Sequence, residues 1–600
     1  MSSTWTGEVE ITVVDGGGGI VSIPATNVQA VVGCAASGTV GTVVASRSKG
    51  TLKSTFAAGP LLEQAGQIVD AGGTVLAVRA TTATAGAIRN TGAVGGGVSA
   101  AVSGTGSAVK LTTTNPHGLT SGAVVTVAGV TGTTEANGTW IARVVDTTHI
   151  ELIGSTFTNA YTSGGTVTKL GAMMTSNSAS TGAAYLTGTP NDDYYVQAQF
   201  LTDFTAGTTG GIVAISIDAG RTFGPAIALG TALTLALADS GTGAYDTGLT
   251  LHLVTGKAYK AGDYMRASAT APQPDATGVA AALTALHNYL LIGGGSGYPI
   301  AKVCGDVDST FAAAVQTALN TDAADYYFER AIVDARDASP PVAWGGTGED
   351  DATWASALIS DYGSANAPRV SVAAGWYNIP SAFPTLFANT PVFRRPLGYA
   401  YAARQVAIPP QRHAGKVGGN DGGPLAIVQV NAARDSADGF VYHDSGTSPA
   451  LDYFLPGGSG RFATGRRRAR KVGLFLCNPL TLAPAGSDFA MLPLGLVMDV
   501  ACSIAHDVLE NYVNADLLTN ANGTLADTEA ATIRGDIEDA IDANMTNVSM
   551  ISGRVVVVDT TQVITTTKKL VVTITIQGRA YVLEVDVTLG YGAVLPANAA

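Results

Sequence analysis

The hydrophobic and polar positions of the chain follow the periods of an α/β fold in two separate stretches. The first begins at Val28 with an apolar run, continues with a helical pattern over residues 61–71 that ends at Gly72-Gly73, and closes with a strand pattern over 74–78. The second begins near residue 276 and repeats helix and strand patterns over 279–291, 309–319, 330–334, 350–360 and 369–374. We therefore predict one α/β body formed by residues 21–90 and 276–480.

The stretch between these two parts is β-rich. From residue 83 to residue 274, short apolar runs alternate with Gly, Asn and Asp, and helical periodicity is scarce. Runs over 124–127, 139–145 and 149–153 are spaced as in a small sandwich. Further runs flank a turn at Asp218-Ala219-Gly220. The pattern predicts two inserted all-β, sandwich-like domains, residues 105–170 and 171–275.

Beyond residue 373 the pattern predicts extended segments first and helices later. Extended segments are expected over residues 399–404, 426–430, 440–442 and 472–476. A helix over 488–513 carries an apolar stripe at every fourth position: Leu492, Leu496, Val500, Ile504 and Val508. A second helix near 525–545 is acidic in its first turn, as the helix dipole favours. These helices and the chain end form a predicted C-terminal domain, residues 481–600.

The N-terminus predicts a strand without a partner nearby. Val9, Ile11 and Val13 alternate with polar residues. Four consecutive glycines follow: Gly16, Gly17, Gly18 and Gly19. A strand separated from its domain by such a flexible linker cannot satisfy its backbone N–H and C=O groups alone. We expect residues 1–20 to form an arm with a glycine hinge, which pairs with a sheet edge of the same molecule or of a neighbour.

The C-terminus predicts a β-hairpin. A strand over 555–559 is followed by strands over 570–576 and 579–587, which Gln577-Gly578 joins. Apolar residues alternate with Thr, Glu and Asp along the hairpin, among them Val572, Ile574, Ile576, Leu583 and Val585. A hairpin alone is barely stable in water. It needs a further strand, and the N-terminal strand is an available partner, in cis or in trans.

Composition argues against several classes of function. Charged residues make up 13% of the chain, glycines number 74 and the net charge is -13. A surface so poor in charge indicates that copies of the chain or other partners cover much of it, and the acidic balance argues against a nucleic-acid partner. The scattered Cys34, Cys304, Cys477 and Cys502 predict neither a disulfide framework nor a zinc site. Because no apolar run is long enough to span a membrane, we expect no direct membrane insertion.

The order of these parts resembles the tail sheath family of contractile phages and related injection systems. The resemblance covers about residues 1–90 and 276–600. It rests on the arm before the glycine linker, the α/β body interrupted by β insertions, and the helix pair before the terminal hairpin. Residues 112–119 with Asn137-Gly138-Thr139-Trp140 also resemble a small β-module common in phage tail and virion proteins, and residues 213–223 resemble another found in phage sheath-like proteins.

The resemblance implies both a fold and a function. The fold is α+β and multidomain, an α/β sheath core with inserted all-β domains and terminal β-arms that pair with neighbouring subunits. The function is structural: the subunit polymerises as stacked hexameric rings around a tail tube and contracts to drive the tube through the host envelope during genome ejection. The implied partners are the chain itself, the tail tube protein, and the baseplate and tail terminator proteins. The resemblance places the protein in the virion tail after assembly in the host cytoplasm, and implies no catalytic residue, cofactor or metal.

Candidate catalytic and metal-binding motifs have simpler explanations. The glycine-rich stretches lack the Lys-Ser or Lys-Thr that completes a P-loop. His443, Asp444 and Ser445 are adjacent, so on a strand they point apart and cannot form a hydrolase triad. The acidic residues 349–351 are either metal ligands or, more simply, groups that serve the N-terminus of the following helix.

The sharpest charge feature is a basic segment that we define as Arg466, Arg467, Arg468, Arg470 and Lys471. It is either a solvated loop or a patch that meets an acidic surface of the tail tube or of the next subunit. In the second case electrostatics set the register of the contact and weaken in high salt.

Two other classes of function compete with a sheath. The first is a tail fibre or another β-rich virion adhesin that binds carbohydrate on the host surface, but the α/β body and the helix over 488–513 favour the sheath. The second is an enzyme, such as a cell-wall hydrolase, which would need convergent polar residues that the sequence does not offer.

Overall fold

The computed structural model of the protein describes residues 27–176, 179–239, 245–293, 297–339, 349–383, 391–419, 421–428, 461–468, 470–477, 479–484 and 486–581. Several predicted features lie outside these ranges. They are the arm and hinge (Val9, Ile11, Val13 and residues 16–19), the hairpin residues Leu583 and Val585, and His443, Asp444 and Ser445.

The first elements begin a parallel sheet. In chain order they are β1 (Val28–Gly33), β2 (Val43–Ser46), α1 (Lys49–Phe56), α2 (Pro60–Asp70) and β3 (Thr74–Arg79). Strand β1 pairs in parallel with β3, and β2 lies antiparallel on the outer side of β3. Ala30 and Val32 belong to an apolar core on one face of the sheet, and Val31 belongs to a core on the other face. Because helices cover both faces, β1 is a continuous apolar run rather than an alternating one.

The β-rich stretch forms antiparallel ladders. Its strands are β4 (Thr82–Thr84), β5 (Ala87–Ile88), β6 (Thr91–Val94), β7 (Val98–Ser103), β8 (Val109–Thr113), β9 (Ala123–Ala128), β10 (Gly138–Val144), β11 (His149–Ile153), β12 (Thr166–Thr175), β13 (Ala184–Gly188), β14 (Tyr194–Phe200), β15 (Phe204–Thr205), β16 (Gly211–Ser216), β17 (Ile227–Gly230), β18 (Thr234–Ala238), β19 (Asp246–Leu253), β20 (Ala258–Tyr259), β21 (Tyr264–Thr270) and β22 (Gln273–Pro274). Twelve of them share one sheet, in the order β17-β16-β14-β21-β12-β9-β10-β11-β8-β7, with β5 on β21 and β6 on β12. A second, three-stranded sheet has the order β13-β19-β18.

Strand β12 joins the two predicted insertions. It pairs with β9 and β6 over its first half and with β21 over its second half, so it crosses the predicted boundary between residues 170 and 171. Val124 and Ile141, which belong to the first insertion by sequence, pack in the apolar core of the second. The division into two inserted domains stays a prediction, whereas the mixture of α/β and all-β parts is confirmed.

The chain then returns to the parallel sheet. The elements are α3 (Ala276–Leu291), β23 (Ile300–Val307), α4 (Ser309–Ala324), β24 (Arg330–Ala335), α5 (Asp351–Tyr362), β25 (Val370–Ala374), β26 (Trp376–Pro380), β27 (Val392–Pro396), α6 (Leu397–Val406), β28 (Phe462–Arg467) and β29 (Leu474–Cys477). The completed sheet has the order β2-β3-β1-β23-β24-β25-β28-β29, and its central strands are parallel. Helices α3, α4 and α5 cover one face, and α1, α2 and α6 cover the other.

Aspartates fix where the helices of one face begin. Asp275, Asp308 and Asp350 precede α3, α4 and α5, and each side chain accepts a backbone N–H of the first turn at 2.7 Å. Such caps satisfy donors that the helix itself leaves free. The capping interpretation of Asp350 is thereby confirmed, while Glu349 forms a bidentate ion pair with Arg336 at 2.7 and 2.9 Å.

The extended segment expected over residues 399–404 is wrong, since these residues lie in helix α6. Tyr399, Ala400, Tyr401 and Ala402 are all buried, because the helix lies between the sheet and α2. The first six residues of α6 are buried on every side, so this part of the helix has no polar face and its sequence shows no helical period. The described residues 426–428 are not a strand either.

Helices and a small sheet form the C-terminal part. The elements are α7 (Leu492–Glu510), α8 (Asp527–Ile541) with a π-helical turn Asp542–Thr546, β30 (Gly553–Val558), α9 (Ile564–Thr567) and β31 (Val572–Gln577). The predicted stripe of α7 is buried at its first four positions and packs in two cores. Within the described residues, α7 is the one helix long and apolar enough to cross a membrane, but 61% of its most apolar window is buried inside the fold. Packing in the cores explains this composition.

Buried ion pairs join the three parts. The Arg395 guanidinium of β27 donates to Asp192 Oδ2 of the insertion at 2.7 Å, and the two side chains are 2% and 0% exposed. Arg330 and Arg369 of the body both bind Asp499 of α7, at 3.0 and 3.2 Å. A Cβ at position 495 would lie 2.2 Å from the Arg330 guanidinium, so Gly495 leaves room for the ion pair between Arg330 and Asp499.

We expect Arg395→Ala to destabilise the fold by about 3–5 kcal/mol, because it leaves Asp192 buried without its partner. Lys260→Ala is the matched control, since it breaks an exposed pair with Asp203 that spans 2.9 Å and contributes about 0–1 kcal/mol. Urea unfolding at neutral pH measures both. Equal midpoints for the two variants would show that Arg395 does not hold the insertion to the body.

Candidate interaction surfaces near the chain ends

The described half of the predicted hairpin lies in a two-stranded sheet, the C-terminal sheet, formed by β30 and β31. The strands are antiparallel, with Val556 opposite Ile574 and Val558 opposite Val572. The sequence pattern predicted both strands but not their pairing. Residues 579–581 are not strand. The remainder of the predicted second hairpin strand lies outside the described residues, so the hairpin beyond Tyr581 stays a prediction.

One face of the C-terminal sheet is packed and the other is open. Val556 and Ile574 are buried in the core with α7 and α8, and Val572 and Ile576 pack against it. The opposite face presents Val555 and Val557, which are 58% and 54% exposed, beside Thr575 and Thr573 in register. Other apolar side chains of the C-terminal part are also exposed: Leu518, Val548 and Val563.

An ion pair fixes the position of β30. Arg554 donates to both carboxylate oxygens of Asp542, with Nε 3.0 Å from Oδ1, and its Nη1 lies 3.5 Å from Glu538 Oε1. The hydrogen bonds from Arg554 hold the pKa of Asp542 below its ordinary value. The sheet is thus attached to the end of α8 by charge as well as by its apolar face.

The edges of the C-terminal sheet are open within the described residues, where neither strand has a second neighbour. The backbone N–H of Asp559 donates to Val571 O at 2.9 Å, so the backbone groups of Asp559 point toward β31. Backbone groups of successive residues point to opposite sides of a strand. The N–H and C=O groups at the outer edge of β30 therefore belong to Arg554, Val556 and Val558. A further strand therefore finds a row of donors and acceptors at this edge.

The chain leaves β31 toward the α/β body. Arg579 Nη1 donates to Ser549 O at 2.8 Å, and the Tyr581 hydroxyl donates to Gln411 O at 2.8 Å. The Tyr581 ring lies 5.7 Å from that of His413, and burial raises the pKa of Tyr581 to about 12. No sequence pattern predicted the contact between Tyr581 and Gln411, because these residues are 170 positions apart.

The basic segment lies at the end of β28 and beyond it. Arg466 stands opposite Phe475 of β29, and Arg468, Arg470 and Lys471 are exposed. Arg470 adopts a left-handed conformation with φ 60, which turns the chain into β29. The interpretation as a plain loop is thus wrong for Arg466 and Arg467, which end a strand. The choice between solvent and a partner surface stays open.

His413 lies near both the basic segment and the contact between Tyr581 and Gln411. Burial lowers the pKa of His413 to about 4, and the charge of Arg468 acts in the same direction. Its Nδ1 accepts the backbone N–H of Gly415 at 3.0 Å. The His413 imidazole therefore stays neutral near Arg468 and the Tyr581 ring, where a second positive charge is disfavoured.

The surfaces near the chain ends differ in charge and in apolar exposure. Within the described residues, no group of three or more His, Cys, Asp or Glu side chains could hold a metal ion. All four cysteines are buried. Exposed aspartates on α8, namely Asp527, Asp536 and Asp539, give the C-terminal part an acidic face that contrasts with the basic segment.

We expect stability to fall in acid partly through His413. Its pKa is lower in the folded chain than the ordinary value of about 6.5, so its contribution is complete above about pH 6.5 and is lost as the pH falls toward about 4. Relative to His413→Gln, the wild type should lose about 1–3 kcal/mol of unfolding free energy across this range in urea titrations. Parallel pH profiles for the two proteins would contradict the assignment.

Comparison with known proteins gives matches among solved structures alone. No protein-family model and no curated protein matches the chain. One matching structure is the helical sheath of the anti-feeding prophage in its contracted state, with 13% identity over 56% of this chain and 78% of that chain and a TM-score of 0.32. The sheath tail protein of Desulfitobacterium hafniense matches with 9% identity over 92% and 93% and a TM-score of 0.35. The sheath tail protein of Listeria innocua matches with 9% identity over 90% of each chain and a TM-score of 0.34.

These three structures are described as sheath proteins. Identities of 9–13% and TM-scores of 0.32–0.35 are too low to assign a function to this chain.

Proposed function

We propose that the chain is a structural tail sheath subunit. It polymerises as stacked hexameric rings around a tail tube and contracts to drive the tube through the host envelope. The observation that carries the proposal is the C-terminal sheet, which has open edges within the described residues and an exposed apolar face at Val555 and Val557. A sheet with open edges and an exposed apolar face can bind further strands.

The proposed strands are the arms of other copies. The N-terminal residues Val9, Ile11 and Val13 and the C-terminal residues Leu583 and Val585 supply alternating apolar positions that suit such a sheet. Each main-chain hydrogen bond contributes about 0.5–1.5 kcal/mol net, so a strand as long as β31 contributes on the order of several kcal/mol per link. Repetition around and along the assembly multiplies this contribution. The glycines at 16–19 would act as hinges when subunits change position.

The joints inside the subunit support motion as a rigid body. Arg395 with Asp192 and Arg330 with Asp499 are buried pairs, which are costly to break because each partner would remain as an isolated charge. A subunit held in this way transmits force through its contacts with neighbours instead of deforming. Contraction then needs a metastable extended lattice whose energy is released in new subunit contacts, not by a nucleotide.

Electron microscopy of the purified protein tests the proposal directly. Striated tubes support a sheath. Slender trimers would contradict it and favour the alternative of a fibre or adhesin.

We expect removal of residues 1–19 to leave a folded protein that does not polymerise. The five described apolar cores are formed by residues beyond 27, so the melting temperature should stay close to that of the full chain. Serine at Val9, Ile11 and Val13 should have the same effect, whereas serine at Glu8, Glu10 and Thr12, on the other side of the strand, should not. Loss of folding on truncation would show that the strand belongs to its own subunit's core.

Reversal of the basic segment tests its role in assembly. We expect Arg466→Glu, Arg467→Glu and Arg468→Glu together to prevent sheaths from forming on tubes, because like charges would then face each other across the contact. Wild-type assembly should weaken as the salt concentration rises. Sedimentation of sheaths with tubes measures both effects, and normal assembly by the triple variant would leave the segment as a solvated surface.

A further inference from the structure

A group of buried acidic and polar side chains lies behind the joint between the α/β body and the C-terminal helices. Glu329 directly precedes β24, Asp322 lies in the last turn of α4, and Tyr298 precedes β23. Their exposed fractions are 1%, 3% and 0%. The fourth member, His287 of α3, is also buried, at 6% exposure.

Several polar atoms of this group make no hydrogen bond of good geometry within the described residues: both carboxylate oxygens of Glu329, Asp322 Oδ2 and the Tyr298 hydroxyl. The Tyr298 hydroxyl nevertheless lies close enough to Glu329 to act as its hydrogen-bond partner and to oppose the rise of the Glu329 pKa. The carboxyl groups of Glu329 and Asp322 nevertheless interact directly. Two carboxylates cannot hydrogen-bond to each other unless one of them keeps its proton.

The cations nearby are engaged elsewhere. His287 Nδ1 lies 3.4 Å from Asp322 Oδ1, and its Nε2 lies 2.9 Å from Oδ2 of the half-exposed Asp325. Arg369 Nη1 donates to the backbone O of Glu329 at 3.1 Å and to Asp499 Oδ1 at 3.2 Å. Arg330 also binds Asp499. No cation is therefore seen to bind the Glu329 carboxyl within the described residues.

Burial and the charge of Asp322 raise the pKa of Glu329 well above its ordinary value. Burial also raises the pKa of Asp322, which the His287 ring and a hydrogen bond with Glu329 oppose. Of the two, Glu329 is the group that holds the proton, because it is fully enclosed and has no adjacent imidazole.

We propose that Glu329 is protonated at neutral pH and donates to Asp322, and that loss of this proton in alkali loosens the joint to the C-terminal helices. Arg369 provides the link. Its guanidinium Nη1 donates both to the backbone O of Glu329 and to Asp499 Oδ1, so a new negative charge on the Glu329 side chain competes with Asp499 for the guanidinium. This device is independent of the proposed sheath function.

The sign of the effect follows from linkage. A carboxyl whose pKa is raised in the folded chain contributes fully below its ordinary pKa of about 4.3, and the contribution is lost as the pH rises from there through the folded pKa. The wild type should therefore lose stability as the pH rises over this range, beyond what its other groups cause. A neutral residue at position 329 should remove this part of the loss.

Thermal unfolding from about pH 6 to about pH 10 tests the proposal. We expect the melting temperature of Glu329→Gln to exceed that of the wild type by an amount that grows with pH, to roughly 5 °C at the alkaline end. Asp70→Asn is the control, since it removes a half-exposed acid that pairs with Lys49 and takes no part in the buried group, and it should keep the wild-type profile.

Identical pH profiles for Glu329→Gln and the wild type would overturn the proposal. Glu329→Met is a second neutral substitution that does not depend on amide geometry. Failure of both variants to fold at neutral pH would overturn it as well, because a carboxyl that is already uncharged there should tolerate an uncharged replacement.

Discussion

Backbone N–H and C=O groups along a strand edge must find partners, and this constraint governs what the C-terminal sheet can do. Within the described residues, β30 and β31 satisfy each other on their inner sides and leave outer edges without a neighbouring strand. The packed face through Val556 and Ile574 holds the sheet in place, so the edges are presented by a fixed support. A strand that docks there gains directional hydrogen bonds at a low cost of reorganisation.

The rest of the described fold holds that support in position. The parallel sheet is covered on both faces, the insertion is attached through Arg395 and Asp192, and the C-terminal helices are attached through Arg330, Arg369 and Asp499. Buried ion pairs of this kind contribute little net stability compared with apolar packing. A rearrangement at these contacts would, however, leave charged side chains buried without their partners. A chain with 13% charged residues thus concentrates several of them where its parts meet.

The sequence predicted those elements that have one face toward the core and the other toward solvent. The stripe of α7 and the cap Asp350 were predictable, because each follows from a local pattern. Helix α6 was not, since Tyr399 to Ala402 are buried on all sides and carry no period. Nor could local patterns show that β12 ties both insertions into one sheet.

The candidate surfaces were predictable in part. The apolar alternation of Val572, Ile574 and Ile576 marked a sheet with one packed face, and the structure places these residues accordingly. Other features depend on contacts between distant residues: the pairing with β30, the exposure of Val555 and Val557, and the hydrogen bond of Tyr581 to Gln411. A single sequence holds no signal for such contacts.

A cryo-electron microscopy map of the assembled polymer, at a resolution that traces the main chain, tests the central claim most directly. The strands that flank β30 and β31 should connect to bodies of other copies, so that each small sheet is composed of more than one chain. If every flanking strand connected back to its own subunit, the copies would not be joined through shared sheets and the proposed assembly would be wrong.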